Sequence, residues 1–214
     1  MAEPFDPRRA LDQAAEIAAG VAEGRPLAET LAEIARARDS GDASFERLLA
    51  SLDAMATRMH AAAGLVDRRA LDEALRREVD RVYRTRQPLS ALAVEIDHAE
   101  RFETDRAAAL VAEALRANLR QIDVASRVAE ASFRVLLPGA GVAGAREVAE
   151  RCRCAIAAAY DADLGAVTAT FGVATLPDHA ANGAGLLQAA VAALATGVRR
   201  GRNSVTTAVP LAKG

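Results

Sequence analysis

The sequence predicts an α+β domain, a mixed β-sheet with helices packed over one face, preceded by a helical segment. Three observations carry this. After Gly64, stretches with helical apolar spacing alternate with short apolar runs, in the order helix, strand, helix, strand, strand, helix, strand, helix, strand. Before that point the chain reads as helix throughout. The 214 residues are 51% hydrophobic, enough to bury a core, although Ala supplies much of that figure. Aromatics are 3% and Trp is absent, so the core is aliphatic.

The N-terminal region, residues 1–59, divides into three helices. Pro7 opens the first, which runs to about Ala19 and ends near Gly20 and Gly24. Pro26 opens the second, with Leu27, Leu31 and Ile34 at helical spacing. The stretch DSGDAS at 39–44 breaks the chain and caps a third helix. That helix places Phe45, Leu48, Leu49, Leu52, Met55 and Met59 at heptad-like intervals. The stripe reads either as a face packed on neighbouring helices or as a dimerising stalk that docks a partner.

Residues 60–214 form the second unit. Residues 66–85 make an amphipathic helix with Leu71, Leu75, Val79 and Val82 on one face. LSALAVEI (Leu89–Ile96) is a continuous apolar strand suited to the middle of a sheet. A helix follows over 104–119. Residues 127–129 and 133–137 are two strands of a hairpin. A helix over 142–159, a strand over 166–175, a helix over 183–199 and a short strand over 203–209 complete the order.

Composition excludes several function classes. The formal net charge is −2, which argues against a nucleic-acid partner. Positive charge is almost wholly Arg, the sole lysine being Lys213. Arg forks onto phosphate and stacks on rings, although so Arg-rich a chain is also what genomic base composition alone produces. Cys152 and Cys154 are two apart in a helix and do not share a face, so they suit neither a disulfide nor a metal pair. No disulfide framework, membrane span or signal peptide is legible, and a cytoplasmic protein is expected.

Taken together, GLVDRRAL, PLSALAVEIDH, RQIDVASRVAEASFRVLLP, AREVAERCR, VTATFGVAT and GRNSV resemble the GGDEF domain of diguanylate cyclases over about residues 60–208. The resemblance implies a palm-like fold related to nucleotidyl cyclases and polymerases. It implies synthesis of cyclic di-GMP from two GTP, one held by each half of a homodimer, with Mg²⁺ or Mn²⁺. The site positions it implies are mostly altered here. The signature falls on Ala129, Glu130, Ala131, Ser132 and Phe133. Cβ groups replace the glycines that admit the nucleotide, Glu130 adds a negative charge, and Ala131 and Ser132 replace acidic residues. A metal carboxylate survives at Glu95, with Asp97 following, but Mg²⁺ needs more hard oxygen ligands than a single vestigial carboxylate supplies. The guanine-reading positions fall on Glu103 and Ala112, and a phosphate-binding Lys position on Val198; Arg202 of GRN remains.

One site of the resemblance is complete. An R-x-x-D motif that binds the product in many members is Arg120-Gln121-Ile122-Asp123, nine residues before Ala129, and Arg151 stands at the place of its second arginine. Arg120 can fork onto guanine O6 and N7 or phosphate, and Asp123 can accept from guanine N1–H and N2–H. His60 and His98 read as structural or exposed, and the loop 175–183 as without function. The expectation is a catalytically inactive GGDEF-like signalling protein that binds cyclic di-GMP. It holds no metal or other cofactor, with Mg²⁺ only if GTP still binds, and it dimerises or meets a protein partner through residues 1–59. The alternatives are an interaction module with no nucleotide ligand and, less favoured, an active cyclase.

Overall fold

A computed structural model of the chain describes residues 64–162 and 164–211. The helices expected over residues 1–59, their heptad stripe and His60 lie outside the described residues. The elements run α1 (Arg68–Thr85), β1 (Leu89–Ile96), a 3₁₀ turn (Ala99–Arg101), α2 (Thr104–Asn118), β2 (Val124–Ala129) and β3 (Ser132–Pro138). They continue as α3 (Val142–Ala158), the two-residue strands β4 (Tyr160–Asp161) and β5 (Gly165–Ala166), β6 (Ala169–Leu176), α4 (Gly183–Arg199) and β7 (Val205–Thr207).

Five strands form one sheet in the order β2-β3-β1-β6-β7, antiparallel except for the parallel pair β6–β7. The mixed sheet is as expected. The single helical layer is not: helices cover both faces. Leu92, Val94, Ile96, Phe133, Val135 and Leu137 pack with Val111, Leu115, Val148 and Ile156 of α2 and α3. Leu89, Ala91, Ala93 and Leu136 pack with Leu71 and Val82 of α1 and Leu186 and Leu194 of α4. The physical reason lies in the strands. Successive side chains point to opposite faces, and β1 is apolar at both parities, so each face needs its own cover.

Local rules explain the element boundaries. The Asp67 side chain accepts from the Ala70 N–H at 2.7 Å and caps α1. Asn182 caps α4 the same way at Gly185, 2.8 Å. Ser90, buried in β1, donates to the Ala140 carbonyl at 2.7 Å and must therefore accept from Thr175 Oγ1, also at 2.7 Å. The hairpin strand β2 begins at Val124, earlier than expected, because residues 124–126 pair with 134–136 directly after the Asp123 turn. No helix among the described residues is long and apolar enough to cross a membrane.

Candidate functional site

Two places bear the residues singled out from sequence, one at each end of β2. That strand has 6 residues, so its ends stand roughly 20 Å apart.

At the far end of the hairpin, Ala129 pairs with Ser132 across a two-residue turn of Glu130 and Ala131. Neither turn residue has positive φ, so this is not the primed turn that glycine favours. A register shift between Arg127 and Ala129 takes up the mismatch in strand twist. The Arg127 guanidinium then clamps the tip. Its Nε and Nη2 donate to the Glu130 carbonyl at 2.9 and 2.6 Å, and Nη2 also meets Asp105 of α2 at 2.8 Å. Ile96 N–H donates to the Ala131 carbonyl at 2.9 Å and ties the tip to β1. Phe133 is fully buried, so the last residue of AEASF is core.

Glu95 sits opposite Ser132 at the end of β1 and is half-buried. Asp97, two residues on, points its carboxylate elsewhere. It accepts from Thr168 Oγ1 at 2.8 Å, Thr170 Oγ1 at 2.6 Å and the Asn203 N–H at 2.9 Å. The GRN loop is thereby pinned to β1, with Arg202 at φ 64. His98 adopts φ 54 in the turn after β1 and lies exposed, 3.5 Å from Glu100. Glu103 is exposed at the start of α2 and Ala112 is buried against the sheet. Val198 is half-buried beside the α1/α4 cluster. A metal ion would find one carboxylate here, Glu95. Among the described residues no group of three or more His, Cys, Asp or Glu side chains could hold one. The residues present do not fit a divalent cation.

At the other end, α2 stops at Asn118 and the chain turns through RQID into β2. The turn closes on itself: Asp123 N–H donates to the Arg120 carbonyl at 3.0 Å, and Arg120 N–H donates to Asp123 Oδ2 at 2.8 Å. Oδ2 is thus engaged by the backbone, while Oδ1 faces outward without a hydrogen bond among the described residues. Burial raises the Asp123 carboxyl above the usual carboxylate range; the Arg120 N–H and the charges of Arg120 and Arg151 pull against that rise. Arg151 on α3 donates from Nη2 to the Asn118 carbonyl at 2.7 Å, a cation at the C-terminal end of α2. Arg120 and Arg151 are exposed. A groove of about 200 Å³ opens beside the turn, lined by Gly64, Leu65, Arg116, Leu119, Arg120, Gln121, Asp123 and Ala125.

The structure therefore brings Arg120, Asp123 and Arg151 within one another's electrostatic reach and adds Arg116, which sequence reading missed. Its spacing of four from Arg120 was the available signal, blurred by the abundance of Arg. His179 was also passed over. It is buried in the loop after β6, and its Nδ1 accepts from the Thr175 N–H at 3.0 Å, which is a structural task.

Residues 59–204 match the model of the family described as "Diguanylate cyclase, GGDEF domain". The chain is 32% identical over 155 residues to the diguanylate cyclase DgcP of Pseudomonas aeruginosa, which covers 68% of this chain and 23% of DgcP. It thus spans about a quarter of that relative's length. Among solved structures, the coiled coil and GGDEF domain of DgcB from Caulobacter crescentus, in complex with cyclic di-GMP, matches with TM-score 0.64 and 26% identity. That match covers 81% of this chain and 98% of the other. The GGDEF domain of YfiN (TpbB) from Pseudomonas aeruginosa matches with TM-score 0.64 and 26% identity, over 69% of this chain and 98% of its own.

Proposed function

Because the chain belongs to the diguanylate cyclase GGDEF-domain family, we propose that it is a non-catalytic member that binds cyclic di-GMP at Arg120, Asp123 and Arg151. The observation that carries the reading is the closed RQID turn. It fixes Asp123 with Oδ2 engaged and Oδ1 outward, between two exposed arginines and beside a groove. A guanine base presents N1–H and N2–H to such a carboxylate and O6 and N7 to a guanidinium. Guanidinium planes also stack on purines and fork onto phosphate. The DgcB relative, crystallised with cyclic di-GMP, supports the choice of ligand.

The loss of catalysis rests on the hairpin. Ala131 and Ser132 supply no carboxylate, and Asp97 is taken up by three hydrogen bonds inside the fold. Each missing electrostatic contact in a catalytic site costs about a hundredfold in rate, and several are missing together. Calorimetric titration of the full chain with cyclic di-GMP tests the reading. Micromolar or tighter binding that Arg120→Ala abolishes is expected. No heat of binding by the wild-type chain would sink it, and accumulation of cyclic di-GMP from GTP and Mn²⁺ would overturn the non-catalytic half.

A further inference from the structure

The hairpin end of the sheet carries a cation of its own. Leu136 of β3 and Ala93 of β1 belong to the core on the α1/α4 face, so by alternation Ser132, Arg134 and Glu95 point to that face too. Glu95 pairs with Ser132, and Arg134 pairs with Ala93, which makes Arg134 the diagonal neighbour of Glu95. Diagonal neighbours lie within reach of a long side chain. Arg134 is half-buried, and its Nη1 donates to the Phe133 carbonyl at 2.8 Å. Burial pulls its guanidinium below the ordinary value, the Glu95 carboxylate holds it up, and Arg68 of α1 adds a second positive charge nearby.

We propose that Arg134 is the resident cation of this cleft, a guanidinium standing beside Glu95 in the electrostatic role of a divalent metal ion, so that the cleft does not recruit one. The charge balance favours this. Glu95 contributes one negative charge, and Arg134 and Arg68 contribute two positive ones. A guanidinium has donors and no acceptor, so it cannot ligate a metal. A divalent ion arriving at Glu95 meets a like charge about 6 Å away, enough at a near-surface dielectric to weaken binding well over tenfold. The inference deepens the reading of this cleft as non-catalytic and is separable from nucleotide binding at RQID, which lies at the other end of β2.

The test supplies the missing ligand and then varies the cation. Ser132→Glu places a second carboxylate opposite Glu95. Mn²⁺ binding to the full chain is followed by electron paramagnetic resonance as MnCl₂ is added. The double variant Ser132→Glu/Arg134→Gln is expected to bind Mn²⁺ at least tenfold more tightly than Ser132→Glu alone. Ser132→Glu/Arg134→Lys, which keeps the charge and changes the packing, is expected to stay as weak as Ser132→Glu. Circular dichroism of each variant establishes that it is folded, and Arg134→Met serves if the Gln variant is not. Equal Mn²⁺ affinity with and without the Arg134 charge, or no binding by any folded variant, overturns the proposal. Neither outcome bears on the cyclic di-GMP titration.

Discussion

Asp123 has two tasks, and one substitution separates them. Its Oδ2 accepts the Arg120 N–H and holds the turn, and its charge faces the groove. Burial raises its folded pKa above the ordinary value of 3.8. Ionisation therefore costs the fold something: the cost is absent below the unfolded value and fully present once pH exceeds the folded one. Asp123→Asn keeps an acceptor for the Arg120 N–H and removes the charge. The variant is expected to melt no lower than wild type at pH 7, with the difference shrinking as pH falls towards 3.8, the ordinary value. Its affinity for cyclic di-GMP is expected to drop at least tenfold, since a hydrogen bond to a charged group contributes roughly 1.5–3 kcal/mol. Unchanged affinity would leave Asp123 with the turn alone. The cysteines make a second contrast. Burial pushes the Cys152 thiol up to about 11, and Cys154 is exposed. Because the thiolate is the nucleophile, iodoacetamide at pH 8 is expected to label Cys154 on the native chain and Cys152 only after denaturation. Mass spectrometry of the peptides reads the outcome, and equal labelling of both in the native state would contradict it.

At the scale of elements, α4 lies closer to β6 than side chains permit. A Cβ on Gly172 would stand 2.1 Å from the Ala190 carbonyl oxygen and 2.3 Å from the Leu194 nitrogen, both helix backbone. Neither atom can swing aside as a side-chain tip can. Gly172→Ala is expected to cost about 3 kcal/mol, the upper end for overpacking, in urea denaturation; a loss below about 1 kcal/mol would mean that α4 slides freely on the sheet. This contact shows what could be read from sequence and what could not. The span of α4 was legible because Leu186, Ala190, Ala193 and Leu194 recur at helical spacing. Periodicity fixes that a helix has one apolar stripe, but not which face of the sheet receives it, and there the reading failed. LSALAVEI held the correction, since a strand apolar at both parities requires cover on both sides. The pair β4 and β5 escaped notice because two residues carry no period. For the site, Arg120, Asp123 and Arg151 were legible from spacing and resemblance. Arg134 was not, because its relation to Glu95 is a matter of strand register between chain-distant elements.

At the scale of the whole molecule, one buried carboxylate joins what the chain keeps far apart. Asp97 lies at the end of β1, and its three donors are 71, 73 and 106 positions away. Sequence pattern is local, so nothing in IDH distinguished this residue from a surface acid. Through it, β1, the start of β6 and the GRN loop form one unit, to which Arg153 of α3 adds a 2.8 Å bond to Asn203 Oδ1. Asp97→Ala removes every acceptor at once and leaves two hydroxyls and an N–H to find new partners. The expected loss is about 3–5 kcal/mol, the range for breaking a buried charged network, measured by urea denaturation of the full chain. Asp97→Asn keeps one acceptor oxygen and should fall between. Hydrogen exchange adds the spatial test. The Asn203 amide is expected to exchange at least tenfold faster in Asp97→Asn, while the Asp123 amide, bonded to the Arg120 carbonyl at the opposite end of β2, keeps its rate. Cyclic di-GMP binding should then survive the substitution. Parallel loss of protection at Asn203 and Asp123 would show instead that the two ends of the sheet open together, and that the hairpin cleft and the RQID turn are one cooperative unit.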